Sequence, residues 1–594
     1  MKRTCILFLA CTLLLSGCVS QTPSSPVTKD EEVVEKDHAF ESYLNDVVVE
    51  LAESDYTTMH HYFEHPADFG IDPKKVDVTL GSILPDEKDE ELEARLKKRL
   101  EEFDREKLSD LERDIYDQLE FQFDLSKRQD SEEFLYIDNI WSTVNGVPQE
   151  LVNYFSEYEV REEADIQDLI TLINDVPRYT KLAIEYSNEQ AKRNLLRFDY
   201  DGVMENIDSV LDTKDDSAVS GELVSEIEQL GLDQDKEAKY IADVKGALEA
   251  SFFPSFETMR SSLETLSSKA LPLQGLANFE HGKEFYELLA RSYTGSNDSI
   301  DTIKSNLESE VSKISVQLSA MVEERPQVVI EGMMLSTDFK SVDEILPFLQ
   351  KNYAQSFPKL KEMEYDLQPL ADEQSQNGVV AYFMHPAIDS STKYQIRYNK
   401  RDYGDDPSSI SLYQTLAHEG IPGHMYQAQY NKEHFQYTIQ YFLSNLGFSE
   451  GYATYAETQA LKFLDLNKDA LSASGYNDLL SNYYVVLMDI AINYEGMDLN
   501  QFMEAFPMFD EEGIKGIYNQ LADNPGVFLS YYYGYYLVDS LRDKAKDALK
   551  DDFDEVEFND ALLSSGSVNF EIIEKNIDSY IQEKTEAYDQ HPVK

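Results

Sequence analysis

Apolar residues recur at helical spacing through the first half of the chain, from about residue 39 to residue 330. The clearest run consists of Ile300, Ile303, Leu307, Val311, Ile314 and Leu318. Residues three or four positions apart share one face of an α-helix, and here charged residues fill the positions between them. Similar patterns cover residues 92–108 and 151–191. The pattern therefore predicts a helical N-terminal lobe over residues 39–330.

Two short stretches in the second half have a different pattern and predict strands. Residues 378–386 and 393–399 are rich in β-branched and aromatic residues, and they flank a turn signal at residues 389–391. Helical spacing returns after residue 408 and continues to the end of the chain. We therefore expect residues 331–590 to form a second, mainly helical lobe with a small β-hairpin or sheet.

The first residues have the features of an export signal. Lys2 and Arg3 precede an apolar run at residues 5–15 that is too short to span a bilayer, and the ending Leu-Ser-Gly-Cys closes at Cys18. This ending predicts a signal peptide over residues 1–17 and a lipid on Cys18. An ordinary cleaved signal or a short membrane anchor is the alternative. Serine, proline and acidic residues dominate residues 18–38, which favours a flexible linker and an extracytoplasmic protein tethered to the membrane.

The net charge limits which partners the chain can bind, and the cysteine content limits which disulfides it can form. The chain has a formal net charge of −61, and removal of the signal would make it more negative because the signal contains bases and no acids. Such a surface repels phosphate backbones, so we expect no nucleic-acid partner. Two of the three cysteines lie in the signal, which leaves only Cys18 and no internal disulfide in the mature chain.

Two windows of the second half are almost free of charge. Residues 408–430 contain a single charged side chain, Glu419, although charged residues make up 28% of the whole chain. Residues 435–456 likewise contain only Glu450. A lone acid in an apolar stretch is costly to bury unless a cation or hydrogen bonds receive it. We therefore expect a buried cation near both acids.

The residues beside these acids indicate which cation. Residues 418–424 read His-Glu-Gly-Ile-Pro-Gly-His, and Glu450 opens a second motif, Glu-Gly-Tyr-Ala-Thr-Tyr-Ala-Glu. His418, His424 and Glu450 are the ligand types of a hydrolytic zinc site, and Glu419 stands where a general base is needed. The alternative is an ordinary helix end whose histidines cap carbonyl groups before a Pro-Gly stop signal.

The spacing of the two histidines requires a break in the helix. Residues six apart in a straight α-helix differ by about 240° of rotation and about 9 Å of rise, so they cannot bind one metal ion. Gly420, Pro422 and Gly423 lie between them and permit the deformation. We expect a helix from about residue 408 to Glu419, then a Pro-Gly bulge that returns His424 to the metal.

These motifs resemble the bacterial family known as domain of unknown function 885. Its members are regarded as zinc metallopeptidases similar in layout to the thimet-oligopeptidase and Taq-carboxypeptidase groups. Besides the two motifs above, the resemblance rests on residues 145–147, 282–286, 530–534 and 558–566. Two positions depart from the usual family pattern: Tyr452 replaces a tryptophan, and Met425 replaces a histidine, which argues against a role for position 425.

The resemblance implies a fold and a mechanism. The fold would be a two-lobed α-helical metallopeptidase of the gluzincin type, like thimet oligopeptidase, with the predicted hairpin beside the active-site cleft. A strand there can pair with extended substrate, although a purely structural hairpin fits the sequence as well. Zinc would activate water, Glu419 would take its proton, and Tyr531 would stabilise the oxyanion. The expected reaction is peptide hydrolysis.

The second motif contains two glutamates, and they have different expected roles. Glu457 follows Glu450 by seven residues, so both lie on one helical face about 10 Å apart and cannot both bind one zinc ion. Glu450 is the lone charge of its window, which makes it the ligand, while Glu457 is expected to orient a ligand from behind. Gly451 is expected to leave room for the deformed segment around Gly423.

Other histidines are weaker candidates. His60, His61 and His65 have helical spacing, but no acid in an apolar stretch accompanies them, which favours surface or packing roles. His385 and His434 flank the motifs and are expected to be hydrogen-bonded helpers. A catalytically inactive peptide-binding lipoprotein and an amidase acting on cell-wall fragments remain alternatives to the peptidase. The sequence leaves open the cleavage mode, the side-chain preference and the oligomeric state.

Overall fold

A computed structural model describes residues 38–214, 217–370, 380–403, 406–507 and 510–590. The protein is mainly α-helical and carries one small sheet, as the sequence pattern predicts. The predicted signal peptide, Cys18 and the linker up to residue 37 lie outside the described residues. The lobe boundary near residue 330 stays a prediction.

Helices of the first half alternate with short connections. They are α1 (His38–Ser54), α2 (Tyr56–Tyr62), α3 (Glu87–Leu100), α4 (Asp110–Gln129), α5 (Val147–Ser156), α6 (Glu163–Lys192), α7 (Tyr200–Asp212), α8 (Ala218–Gln229), α9 (Gln234–Ala247), α10 (Phe253–Ser267), α11 (Gly282–Thr294), α12 (Ile300–Glu324) and α13 (Pro326–Gly332). A π-helical turn, Leu248–Phe252, joins α9 to α10.

The second half continues in the same way around the sheet. Its helices are α14 (Ile345–Asn352), α15 (Lys400–Tyr403), α16 (Ile410–Glu419), α17 (His424–His434), α18 (Leu446–Ala460), α19 (Lys468–Asn493), α20 (Leu499–Ala505), α21 (Glu511–Asp523), α22 (Gly534–Leu549), α23 (Glu555–Ser564) and α24 (Phe570–Gln590). A second π-helical turn, Leu529–Tyr533, leads directly into α22.

The helix with the clearest sequence pattern shows why these segments fold as they do. The side chain of Ser299 accepts a hydrogen bond from the Thr302 N–H and caps α12, which satisfies one of the free donors at a helix start. Ile303 and Leu307 are fully buried, while the charged residues Asp301 and Glu308 beside them are exposed. The prediction for residues 300–321 is therefore confirmed.

The sheet has three strands in the order β1-β3-β2. The predicted pair is present as β2 (Ala381–Met384) and β3 (Tyr394–Tyr398), which are antiparallel with Phe383 opposite Ile396. A further strand that the sequence pattern did not reveal, β1 (Tyr365–Pro369), runs parallel to β3. The order leaves β2 at an edge of the sheet.

One large hydrophobic core extends along the chain. It contains buried residues from Phe40 near the start of the described chain to Ile577 near its end. Trp141, the single tryptophan, is fully buried in it, and its indole N–H donates a hydrogen bond of 2.7 Å to Ser187. Among the described residues, no helix has both the length and the apolar content needed to cross a membrane.

Candidate metal centre

The first motif lies at the end of α16. Ser409 caps this helix by accepting a hydrogen bond from the Leu412 N–H at 3.3 Å, and the helix ends at Glu419. His418 and Glu419 therefore occupy its last turn, where both side chains are about nine-tenths buried. The predicted start near residue 408 and the predicted end at Glu419 agree with these bounds to within two residues.

The chain then turns sharply before the second histidine. Residues 420–423 are not helical, the Ile421–Pro422 peptide bond is cis, and α17 begins at His424. A Cβ atom on Gly423 would overlap the backbone of His418, and one on Gly420 would crowd the Leu416 carbonyl oxygen. Only glycine permits so close a return of the chain. The predicted deformation is present, and it separates two helices.

The second motif lies on α18, which starts at a cap formed by Asn445. The Asn445 side chain accepts a hydrogen bond from the Phe448 N–H at 3.0 Å. Glu450 is the fifth residue of α18, in its second turn, and is 7% exposed. Tyr452 ties this helix to the first motif, because its hydroxyl donates a 2.9 Å hydrogen bond to the Pro422 carbonyl. The aromatic residue at position 452 thus supports the turn between the two histidines.

Three side chains from these elements converge on one point. The Glu450 Oε2 atom lies 3.4 Å from His418 Nε2 and 3.5 Å from His424 Nε2. One ligand atom from each residue lies within 4.8 Å of the other two. Tetrahedral ligands about 2.0–2.1 Å from a zinc ion are themselves about 3.3–3.4 Å apart. The donor types and their separations therefore fit zinc.

The electrostatics of the cluster favour a positive charge at its centre. Burial alone would raise the pKa of Glu450, but the imidazoles of His424 and His418 lower that pKa to about 2. Burial alone would lower the pKa of His418, but its hydrogen bonds to Glu450 and Glu457 raise that pKa well above its ordinary value. The acids thus favour a cation at this point, whether a proton on His418 or a metal ion.

Glu457 lies behind the first histidine. Its Oε2 atom accepts a hydrogen bond of 3.0 Å from His418 Nδ1, while His418 Nε2 faces Glu450. A carboxylate in this position fixes the tautomer and the ring orientation of a metal-binding histidine. The structure thus places Glu457 against the outer nitrogen of His418, the position from which it would orient that ligand.

Glu419 adjoins the three convergent side chains and the edge strand. Burial raises its pKa, while His418 and His424 act in the opposite direction. A hydrogen bond from the backbone of Phe383, in β2, also favours its ionised form. This carboxylate is therefore held between the histidines and the sheet, where a bound water could reach it.

Tyr531 comes from a distant part of the chain, within the π-helical turn Leu529–Tyr533. Its ring stacks on the His418 ring with a centroid separation of 6.2 Å and an interplanar angle of 16°. The negative charge of Glu450, together with burial, raises the phenol pKa well above its ordinary value, and the phenol is hydrogen-bonded to Glu450. The phenol therefore stays protonated and remains a hydrogen-bond donor.

A close helix crossing brings Tyr531 to the cluster of His418, His424 and Glu450. A Cβ atom on Gly451 would overlap the backbone of Gly534, and one on Gly534 would overlap the carbonyl of Gly447. The expectation that Gly451 makes room for Gly423 is therefore wrong, because Gly451 faces α22 instead. Gly451 and Gly534 lie in motifs of the sequence and Gly447 does not, but only the packing shows that the three glycines meet at this crossing.

The cluster opens into a cleft with a volume of about 710 Å³. Its walls include His418, Glu419, Tyr531 and the first residues of β2. The Asn399 N–H donates a hydrogen bond to the Val380 carbonyl. In an antiparallel pair, successive residues direct their backbone N–H and C=O groups to opposite sides of the strand, so every second residue of β2 directs these groups away from β3. The Phe383 backbone bonds to Glu419 on that side. This edge of β2, which pairs with no other strand among the described residues, thus runs beside the candidate metal centre.

The other histidines divide into packed and unpartnered ones. His60 stacks on Tyr158 and bonds to the Glu159 carbonyl at 2.9 Å, and the Nδ1 atom of His434 lies 2.7 Å from the Tyr430 carbonyl. The packing interpretation of His60 and the helper interpretation of His434 agree with these contacts. The helper interpretation of His385 does not, because both of its ring nitrogens lack a hydrogen-bond partner among the described residues.

The other two candidate histidines of the first half are His61 and His65. His61 is buried enough that its pKa falls to about 4, and it lines a second cavity next to the cleft. His65 lies at the surface, and its backbone N–H donates to Asp389 at 2.8 Å. Sequence reasoning missed the second cavity, which also contains His385, Glu150 and Glu157. No local pattern marks these residues as neighbours.

Comparisons with known proteins agree with this architecture. A predicted lipoprotein from Colwellia psychrerythraea has a similar structure, with a TM-score of 0.77 and 17% identity over 93% of this chain and 100% of that chain. A predicted lipoprotein of unknown function from Shewanella oneidensis has a TM-score of 0.56 and 15% identity over 83% of this chain and 93% of that chain. Such identities show a shared fold.

Sequence comparisons identify the family. None of the curated proteins is similar enough in sequence to match the chain. The model of a bacterial protein family of unknown function, DUF885, matches residues 68–577, which include every residue of the candidate metal centre. This match covers most of the chain. The protein therefore belongs to the DUF885 family of bacterial proteins.

Proposed function

We propose that the protein is a zinc-dependent peptidase. The observation that carries this proposal is the convergence of His418, His424 and Glu450. The Glu450 oxygen lies at the separation of tetrahedral zinc ligands from both imidazoles, and all three donor atoms lie within 4.8 Å of one another. Three protein ligands leave a fourth position for water or substrate, which is the arrangement of catalytic rather than structural zinc sites. Glu419 lies beside that position in a buried cleft.

Each residue has a distinct task in the proposed hydrolysis. Zinc bound by the three ligands would polarise the scissile carbonyl and lower the pKa of water from 15.7 toward about 7. Glu419 accepts the proton of the attacking water and delivers it to the leaving amine. Glu457 holds the His418 ring in place through Nδ1.

Tyr531 stabilises the charge that develops on the substrate oxygen. Glu450 and burial keep the Tyr531 phenol protonated, so it can donate a hydrogen bond to an oxyanion. Its contact with Glu450 places the hydroxyl at the edge of the ligand cluster, where the carbonyl oxygen of a bound substrate would lie.

The free edge of β2 suits an extended peptide. Val380, Ala381 and Tyr382 line the cleft, and β2 has no strand on this side among the described residues. An added peptide strand would gain backbone hydrogen bonds along β2 and bring its scissile bond toward Glu419. We therefore propose peptides, rather than small amides, as substrates.

We further propose that the protein is a membrane-anchored, extracytoplasmic lipoprotein. The residues that support this are the signal-like residues 1–17 and Cys18, and two proteins of similar structure are described as predicted lipoproteins. Replacing Cys18 by alanine should release the protein from membranes or block its processing. Membrane fractionation tests this, and membrane association of Cys18→Ala that only detergent removes would place the anchor elsewhere.

The central experiment combines metal analysis with a peptide library. The purified protein should contain about one zinc per chain and cleave members of a mixed library detected by mass spectrometry. Glu419→Gln should retain zinc but lose at least about 10²-fold in rate, because the amide keeps the shape of the side chain and loses the base. Glu433→Gln is a matched control, since that carboxylate bonds to Gln429 on α17 and faces away from the cluster.

Three outcomes would contradict the proposal. A chain that binds zinc and peptides without cleaving them would be a binding protein. Cleavage of cell-wall amides and not of peptides would place the enzyme in another substrate class. Full activity in zinc-loaded Glu419→Gln would remove this glutamate from the mechanism.

A further inference from the structure

A second cavity adjoins the metal-centre cleft. It has a volume of about 350 Å³ and lies at the far end of β2, where Met384 and His385 form part of its wall. Asn145 and Tyr382 line both this cavity and the cleft. A substrate strand bound along β2 would therefore place one of its side chains at the mouth of this cavity.

Two acids in the cavity wall form no ion pair with a lysine or arginine among the described residues, although the Arg397 guanidinium acts on Glu157 from farther away and lowers its pKa. Glu150 and Glu157 line the cavity, and no lysine or arginine among the described residues forms an ion pair with either one. Burial raises the pKa of both carboxyls, and that of Glu157 rises to about 7 although Tyr382 donates a hydrogen bond to it. Carboxylates in such surroundings are stabilised when a cation enters.

Unpartnered polar atoms form another part of the wall. His385 is 6% exposed, yet neither ring nitrogen has a hydrogen-bond partner among the described residues, and the same holds for the Tyr154 hydroxyl. Buried polar groups are normally hydrogen-bonded, and unpaired ones point to a missing ligand or water. This observation is independent of the acids and lies in the same cavity.

The positive groups of the wall are already neutral or paired. Burial lowers the pKa of His60 to about 3 and that of His61 to about 4, so both rings are uncharged near neutral pH. The Arg161 guanidinium lies 2.7 Å from the Glu159 carboxylate and is paired with it. The charge left without a partner in the cavity is therefore negative, and an anionic ligand would be repelled.

We propose that this cavity is a subsite for a lysine or arginine side chain of the peptide substrate. This proposal rests on the proposed peptidase function and names its specificity. The ammonium or guanidinium group would pair with Glu150 and Glu157, and the unpartnered His385 and Tyr154 would accept its remaining hydrogen bonds directly or through water. Aromatic walls, including Tyr158, suit the aliphatic stem of a long cationic side chain.

The test measures binding and cleavage with matched peptides. N-acetylated peptides that differ at one position carry lysine, arginine, Nε-acetyl-lysine, norleucine or glutamate, and each position is scanned in turn. Calorimetry on Glu419→Gln measures binding without cleavage, and mass spectrometry gives kcat/KM for the wild type. Lysine and arginine at one position should be preferred over acetyl-lysine by about 10- to 100-fold, the usual contribution of hydrogen bonds to a charged group.

Two substitutions and one control assign this preference to the cavity. Glu150→Gln and Glu157→Gln should each remove most of it. Both keep the size of the side chain and remove a partly buried carboxylate that forms no ion pair among the described residues, so folding is preserved. Glu185→Gln should leave the preference unchanged, because Glu185 is an exposed acid on α6. The control removes the same charge from a chain whose net charge is already −61.

The outcomes separate this proposal from the proposed function. A lysine preference in binding that depends on Glu150, without cleavage of any peptide, would support the subsite and contradict the peptidase. Cleavage without a cationic preference, or with one that both glutamine variants retain, would contradict the subsite and leave the peptidase intact. A preference seen only in peptides with a free N-terminus would assign the cavity to the α-ammonium group and overturn the side-chain assignment.

Discussion

Because Glu450 and Glu457 have different proposed roles, replacing each one by alanine should weaken zinc binding to a different extent. Glu450 lies within 3.5 Å of both histidine Nε2 atoms, whereas Glu457 contacts the outer nitrogen of His418. Glu450→Ala removes one of three ligands. Glu457→Ala leaves all three and removes only the acceptor that orients His418. We therefore expect the first variant to lose zinc and the second to keep it with lower affinity.

The magnitudes follow from the two positions. Loss of a carboxylate behind a metal-binding histidine weakens metal binding by about 10- to 100-fold, which corresponds to about 1.4–2.7 kcal/mol. Loss of Glu450 removes the only anionic ligand and leaves two neutral imidazoles in a buried site. We expect Glu450→Ala to contain no zinc after dialysis against buffer that leaves the wild type fully loaded.

The assay is zinc competition against a chromophoric chelator at fixed pH. Glu457→Gln serves as the matched control, because its amide oxygen can still accept the hydrogen bond from His418, so its zinc affinity should fall between those of wild type and Glu457→Ala. Thermal unfolding of each zinc-free variant shows whether the fold is intact. The ligand assignment is refuted if Glu450→Ala, correctly folded, binds zinc more tightly than Glu457→Ala.

Three further predictions address other parts of the molecule. Tyr531→Phe should retain zinc and lower kcat by about 10²-fold or more, the usual effect of removing one oxyanion donor; unchanged kinetics would exclude the phenol from the mechanism. Gly451→Ala should lower Tm markedly, because the added methyl group would overlap the backbone of Gly534, whereas Gly475→Ala, with open space around it on α19, should keep or slightly raise Tm. Burial raises the pKa of Glu93 from 4.5 to about 8. Between pH 4.5 and about pH 8 the folded state therefore keeps a proton that the unfolded state has released, and the free energy of unfolding falls as the pH rises through this range. Glu93→Gln should therefore have a higher Tm than wild type at pH 9 and a similar one at pH 4; equal melting curves at both pH values would refute this.

Much of the local structure and the residues of the candidate metal cluster can be predicted from sequence, because burial leaves a periodic or compositional trace. Helix α12 follows from apolar residues at helical spacing, and β2 and β3 follow from short β-rich segments around a turn. The lone acids Glu419 and Glu450 stand out because an uncompensated charge is costly in an apolar window. Six-residue spacing of the histidines requires a break that the intervening glycines and proline permit.

Features that depend on partners distant in the sequence could not be predicted this way. Strand β1 pairs in parallel with β3, and its five residues have no distinctive alternation. Gly534 belongs to the motif at residues 530–534, but nothing in that motif shows that it crosses Gly451 and so brings Tyr531 to the side chains of His418 and Glu450. The position of Tyr531 was supplied by family resemblance, not by any pattern along the chain.

The second cavity shows the same limit most clearly. Glu150 and Glu157 come from the first half of the chain, whereas Tyr382 and His385 come from the sheet more than two hundred residues later. Neither acid stands out in a chain with 113 acidic residues. The order of residues along the chain indicates which segments form helices or strands and which side chains could bind a metal ion, since these depend on local burial and residue type. Tertiary structure alone decided which side chains share a cavity, because close contacts between distant segments depend on the packing of the whole core.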